Sequence, residues 1–92
     1  MSEILQSLLL AVDQQLQSAQ TPYVKKTYDR LLTLGLSDDA AREEIADCLG
    51  EEMDAILAEK RAFSEKNYRT LLDRLPWNET PDQGNDLQNL TI

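Results

Sequence analysis

The stretch "LGLSDDAAREEIADCLGEEMDAILAEK", residues 34–60, decides the fold because it ends one helix and begins a longer one. Gly35 can adopt the left-handed conformation that terminates a helix, and Leu36 after it can fold back onto Leu31. Ser37 is a natural N-cap, and the two aspartates that follow it suit the positive end of a helix dipole. The stretch therefore predicts a reversal between two helices, the second of which runs to about residue 60.

Seven carboxylates lie within residues 41–60, and they indicate either the solvent-exposed face of this helix or a metal site. On a helical wheel the apolar residues gather on one side, namely Ala41, Ile45, Cys48, Leu49 and Ile56. Most of the acids lie on the other side, namely Glu43, Asp47, Asp54 and, more loosely, Glu51. A solvated face is favoured, because such faces are the rule on surface helices and no calcium-loop pattern is present. A carboxylate site for magnesium or manganese, built from Asp13, Glu51 and Glu52, stays open as the alternative.

Outward from this stretch, apolar residues recur at helical spacing and no alternating β-branched run interrupts them. The pattern predicts helices near residues 3–18, 22–34, 38–60 and 64–75. Because the connections are short, neighbouring helices should be antiparallel. The predicted fold class is all-α, a small antiparallel bundle of about four helices in one domain, residues 1–76. Residues 77–92 are polar and aperiodic, and they predict a polar C-terminal tail that is mobile.

Cap signals precede the other helices. Ser2 and Thr21 are the expected N-caps of the first and second helices, and Ser64 is that of the fourth. Phe63 and Tyr68 flank Ser64 at the two positions of a hydrophobic staple, which fixes how the chain enters a helix. These signals set the helix starts independently of the apolar periodicity.

The net charge and the missing histidine disfavour several classes of function. Seventeen acids against nine bases give a net charge of −8, which disfavours binding to nucleic acid or to an anionic membrane. Histidine is absent, which removes the commonest general base and the commonest metal ligand. Without it the Ser–His–Asp constellation cannot be built. We therefore expect a protein that is not an enzyme and that has no cofactor.

The cysteine and the first residues indicate a compartment. Cys48 is the only cysteine, so no intramolecular disulfide can form, which suits a reducing environment. The opening "MSEILQSLLLAV" has an acid where a signal peptide carries bases, and its apolar stretch is short. We expect a cytoplasmic protein in which Cys48 is a core residue.

Three polar residues fall on otherwise apolar helix faces, namely Gln15, Thr27 and Glu52. They form either a buried network or the edges of those faces, and the edge placement is favoured because buried acids without partners are costly. Glu52 lies closest to the centre of the apolar face of its helix. We therefore expect its side chain to be buried near Gln15 or Thr27, with its pKa raised by burial. Alternatively Arg42 or Lys26 pairs with Glu52 and lowers its pKa.

The segments "LGLSDDAAREEIADCLGEEM" and "FSEKNYRTLLDRLP" resemble a family of short bacterial proteins of unknown function. In that family a "GLS…DA" helix start leads to "Leu-x-Glu-Glu-hydrophobic" and then to a Tyr-x-x-x-Leu-x-x-Leu-Pro element. The resemblance covers about residues 5–76. The matched positions are Leu36, Ser37, Leu49, Glu51, Glu52, Met53, Phe63, Ser64, Glu65, Tyr68, Leu72, Leu75 and Pro76. The resemblance implies a shared helical architecture. It brings no activity, because the family's histidines correspond to Leu9, Glu43 and Asp47 here.

Two hypotheses about function remain. The leading one is a protein-interaction or self-association module without catalytic activity. Leu9 and Leu10 widen the apolar arc of the first helix, and a homodimer interface along that helix would cover them. An unknown protein partner is the other form of this hypothesis. The alternative is a divalent-metal-binding or hydrolytic domain that uses the carboxylates Asp13, Glu51 and Glu52.

Overall fold

A computed structural model describes residues 3–76, and within that range the chain forms four α-helices and no strand. The helices are α1 (Glu3–Leu16), α2 (Pro22–Thr33), α3 (Asp38–Glu59) and α4 (Glu65–Asp73). Each boundary lies within two residues of the sequence prediction, which confirms a small all-α bundle. The expected Ser2 cap and the polar tail, residues 77–92, lie outside the described residues. None of these four helices combines the length and apolar character needed to cross a lipid bilayer.

The long helix α3 is the centre of the bundle, because it packs against all three other helices. Leu8 of α1 lies against Gly50 of α3, and Asp13 of α1 binds Arg42 of α3, which sets these two helices antiparallel. Contact on several sides explains why α3 contributes buried residues from more than one face. The core consists of Val12, Val24, Leu31, Ala41, Ile45, Ala46, Cys48, Leu49, Tyr68, Leu72 and Leu75.

The reversal between α2 and α3 follows from the residues that predicted it. Gly35 has a φ of +107°, its N–H donates to the carbonyl of Leu32, and the N–H of Leu36 donates to that of Leu31. This pair of bonds is the Schellman arrangement, which satisfies carbonyls that a helix end leaves without partners. The hydroxyl of Ser37 then accepts from a backbone N–H in the first turn of α3, so the predicted cap is confirmed.

The start of α4 also matches its sequence signals. The hydroxyl of Ser64 accepts a hydrogen bond from the N–H of Asn67, and the rings of Phe63 and Tyr68 meet edge to face with centroids 5.7 Å apart. The predicted cap and staple are thus confirmed. Thr21 differs from its prediction, because its hydroxyl donates to the carbonyl of Gln15 at 2.9 Å and caps no N–H of α2. The carbonyls at the end of α1 compete for that hydroxyl.

The end of α4 is held by a side chain from α2. The guanidinium of Arg30 donates from Nη1 to the carbonyl of Leu75 at 2.6 Å and from Nη2 to that of Leu72 at 2.9 Å. A cation at a helix C-terminus also opposes the negative end of the helix dipole. Arg30 therefore fixes the short α4 against α2 by bonds to backbone atoms.

Candidate functional site

A groove of about 910 Å³ runs between the first turns of α1 and the middle of α3, and we call it the α1–α3 groove. Its apolar lining comes from Ile4, Leu8, Leu49, Gly50 and Met53. Its carboxylates come from Glu3, Asp47, Glu51 and Asp54, which are all exposed and which we call the groove carboxylates. An apolar floor with charged edges is the usual composition of a surface that binds another molecule.

Gly50 explains why the two helices lie so close at this point. A Cβ atom placed on Gly50 would stand 3.2 Å from Cδ1 of Leu8, which is tighter than ordinary packing. Ala46, one turn earlier on α3, is fully buried and is also small. Small residues on one helix let the other approach closely. The larger side chains then flank the contact and form the walls of the groove.

Two side chains leave apolar surface open at this groove. Met53 is 48% exposed and Ile4 is 72% exposed, although both line the groove. Leu57 is also exposed and lies four residues beyond Met53, so the two are neighbours on the surface of α3. The apolar surface therefore continues from the groove along α3 for a further turn.

The groove carries one sign of charge. Four carboxylates line it, and no lysine or arginine does so. The protein around Asp47 removes part of the hydration of its exposed side chain, which disfavours the charged form and raises the pKa of Asp47 above its usual range. The groove therefore attracts a cationic ligand and repels an anionic one.

Glu52 lies on the opposite side of α3 and is 1% exposed. Its carboxylate accepts two bonds from Arg61, from Nη1 at 2.7 Å and from Nη2 at 3.0 Å, and a third from the N–H of Ser64 at 2.8 Å. The Arg61 guanidinium holds the pKa of Glu52 below its usual range and outweighs the opposite effect of burial. This carboxylate ties the loop between α3 and α4 to the side of α3.

These contacts correct two expectations about Glu52. The predicted rise in its pKa is wrong, because Arg61 supplies a partner. That partner is neither Arg42 nor Lys26, the candidates from the sequence; Arg42 binds Asp13 instead. The burial predicted for Glu52 is confirmed, because its side chain is 1% exposed, so the edge placement favoured for the three polar residues together does not hold for it.

The other two inward polar residues have separate partners. Thr27 is buried, contrary to the edge placement, and its hydroxyl donates to the carbonyl of Tyr23 in its own helix at 2.9 Å. Gln15 is partly buried, and its Oε1 accepts from the hydroxyl of Tyr68 at 2.7 Å. None of these bonds joins either residue to Glu52, so the alternative of a shared buried network is not borne out either.

The acids proposed as metal ligands are divided among different sites. Asp13 accepts from Nε and Nη2 of Arg42 at 2.8 and 2.9 Å, and Glu52 is bound by Arg61. Glu51 lines the α1–α3 groove. Within residues 3–76, no group of three or more histidine, cysteine or acidic side chains is placed to hold a metal ion. Two of the three acids therefore act as partners of arginine.

The remaining sequence candidates also have definite places. Cys48 is completely buried, and burial raises the pKa of its thiol to about 12, so the thiol stays protonated and packs as a core residue. Leu9 packs partly against the core, whereas Leu10 is 65% exposed.

Sequence reasoning missed the groove, whose only sequence signal was a glycine among apolar residues in the middle of a helix.

No protein-family model, curated protein or solved structure matches this chain. The resemblance to a bacterial family therefore stays a prediction, and function is argued from the residues of the groove.

Proposed function

We propose that this domain is a protein-interaction module without catalytic activity and that the α1–α3 groove is its contact surface. The observation that carries the proposal is the exposed apolar surface of Met53 and Ile4 at the edges of the groove. In a domain of this size, exposed apolar side chains that cluster beside a groove are typical of a binding surface. A groove between two helices also suits the apolar face of a third helix.

Two features outside the groove favour a binding role over a catalytic one. The one thiol is buried and protonated, and the buried carboxylate of Glu52 is already bound by the partly exposed Arg61. We place the protein in the cytoplasm as part of the same proposal, because a single cysteine suits a reducing compartment.

A selection with displayed helical peptides tests this proposal. Peptides selected on the wild-type protein are expected to lose about tenfold in affinity for Met53→Gln, because glutamine keeps the shape of methionine but exposes an amide in the groove. Leu34→Gln is the matched control, since Leu34 is exposed at the end of α2 and lies outside the groove. Selected peptides that respond equally to both variants would reject the groove as the contact surface.

Self-association through α1 is a second candidate function, supported by a different observation. Leu10 is 65% exposed and, with Leu9, lines a hollow of about 290 Å³ on the outer side of α1. A second copy of the chain seated there would cover both leucines. The mass of the wild-type protein in solution, measured by light scattering over a range of concentrations, tests it directly.

A further inference from the structure

We infer that the partner of the α1–α3 groove is a basic amphipathic helix of another protein, with its apolar side on the groove floor and its lysines or arginines against the groove carboxylates. This inference rests on the proposed function and specifies the chemistry of the ligand.

The pairing of acids across the molecule points to a cationic ligand. Away from the groove, many carboxylates already have a cation, since salt bridges hold Asp13, Asp29, Asp38, Asp39, Glu52, Glu59 and Glu65. Among residues 3–76, none of the salt bridges includes a groove carboxylate. Four acids that line one groove without a base are complementary to several positive charges on one ligand.

The shape of the surface points to a helix. Residues 47–57 of α3, from the groove to Leu57, extend for roughly 16 Å at 1.5 Å per residue. That length matches three turns of a helix that presents apolar side chains at every third or fourth position. Lysine and arginine suit the flanks of such a helix, because their carbon chains cover apolar surface while their charges reach the carboxylates.

Other occupants fit the groove less well. A second copy placed groove against groove would bring two sets of four carboxylates together without a base between them. The chain's own residues 77–92 contain Glu79, Asp82 and Asp86 and no lysine or arginine, so they carry the same sign of charge as the groove. Anionic membranes and nucleic acids would be repelled for the same reason.

Three synthetic peptides of equal length test the inference on the full chain. They share one apolar helix face and differ on the polar face, which is lysine-rich, glutamine-rich or glutamate-rich. Fluorescence anisotropy is expected to give the tightest binding for the lysine peptide, roughly tenfold weaker binding for the glutamine peptide and the weakest for the glutamate peptide. The preference for lysine should shrink as salt is raised, because the charges lie at a solvent-exposed edge.

Charge-neutral variants show whether the groove is responsible. Glu51→Gln with Asp54→Asn is expected to weaken the lysine peptide by roughly tenfold and to leave the glutamine peptide unchanged. Glu65→Gln with Asp73→Asn is the charge-matched control, because it also removes two carboxylates and both residues are exposed on α4 and outside the groove. An equal loss for this control would show that binding follows the net charge alone and would overturn the inference.

Two further outcomes separate the inference from the proposed function. If the glutamine peptide binds as tightly as the lysine peptide and Met53→Gln weakens both, the groove is the contact surface and the basic partner is wrong. If binding of every peptide is insensitive to Met53→Gln, both proposals fail. A labelled synthetic peptide of residues 77–92 that binds the protein directly, and binds Met53→Gln more weakly, would show that the chain's own tail is the occupant and would overturn the inference.

Discussion

Replacing Glu52 with glutamine is expected to destabilise the bundle, because the carboxylate is enclosed and binds three donors. Two of those donors belong to Arg61 and the third is the N–H of Ser64. Glutamine has nearly the same shape, but it offers one oxygen and puts an NH₂ group where the second oxygen was. At least one donor then faces another donor, and the remaining bonds lose their charged acceptor.

The size of the effect follows from those bonds. A hydrogen bond to a charged group contributes about 1.5–3 kcal/mol, and breaking a buried ion pair costs about 3–5 kcal/mol. Arg61 is partly exposed, so water can solvate it once its partner is neutral. We therefore expect Glu52→Gln to lower the free energy of unfolding by about 2–4 kcal/mol. For a domain of this size, that loss lowers the melting temperature by roughly 10–30 °C.

Thermal unfolding followed by circular dichroism measures this loss, with Glu51→Gln as the control. Glu51 is the adjacent residue and is exposed, so its variant should change stability by no more than about 0.5 kcal/mol. A Glu52→Gln variant that melts at or above the wild-type temperature at neutral pH would refute the account of this ion pair.

The pH dependence gives the same test a second readout. Because the folded-state pKa of Glu52 is depressed, its contribution to stability is complete above the unfolded value of about 4.3. The contribution is lost as pH falls through the lower folded-state pKa. The difference in melting temperature between wild type and Glu52→Gln should therefore be constant from pH 7 to about pH 5 and should shrink below about pH 4.

Other predictions concern the helix ends and the first helix. Gly35→Val should lower the free energy of unfolding by about 1–3 kcal/mol, because Gly35 has a positive φ. Gly50→Ala should change the free energy of unfolding by no more than about 1 kcal/mol, since the better helix propensity of alanine opposes the cost of its close contact with Leu8. The reverse order of melting temperatures would contradict this prediction. Arg30→Met should cost about 1–3 kcal/mol, because two carbonyls at the end of α4 lose their donor, and a melting curve equal to that of wild type would show that those bonds contribute nothing. If α1 forms a dimer interface, Leu10→Glu should give a folded monomer by light scattering, and a monomeric wild type would remove that hypothesis.

Helix ends could be predicted because they depend on residues that are close in sequence. Gly35, Leu36 and Ser37 contain the whole signal for ending α2 and starting α3, and every bond they form reaches at most five residues. The same holds for Ser64 and for the staple between Phe63 and Tyr68. Local chemistry of this kind leaves few alternatives.

The partner of Glu52 and the groove could not be predicted, because both depend on how distant elements meet. Arg61 reaches Glu52 because the chain turns back after α3, where Lys60 adopts a left-handed conformation. A lysine at this position does not predict that conformation. The groove depends on how closely α1 approaches Gly50, which is set by packing across the bundle. Apolar periodicity identified the faces of the helices but not which part of each face stays open.

Mapping the bound lysine peptide by NMR chemical-shift changes in the backbone amides of the full chain tests the central claim most directly, because it shows where the ligand lies. We expect the largest changes in two segments, residues 3–8 of α1 and residues 47–57 of α3, with little change around Asp73 of α4. Changes concentrated on α2 and α4, or along the outer side of α1 at Leu10, would contradict the assignment of the α1–α3 groove as the binding surface.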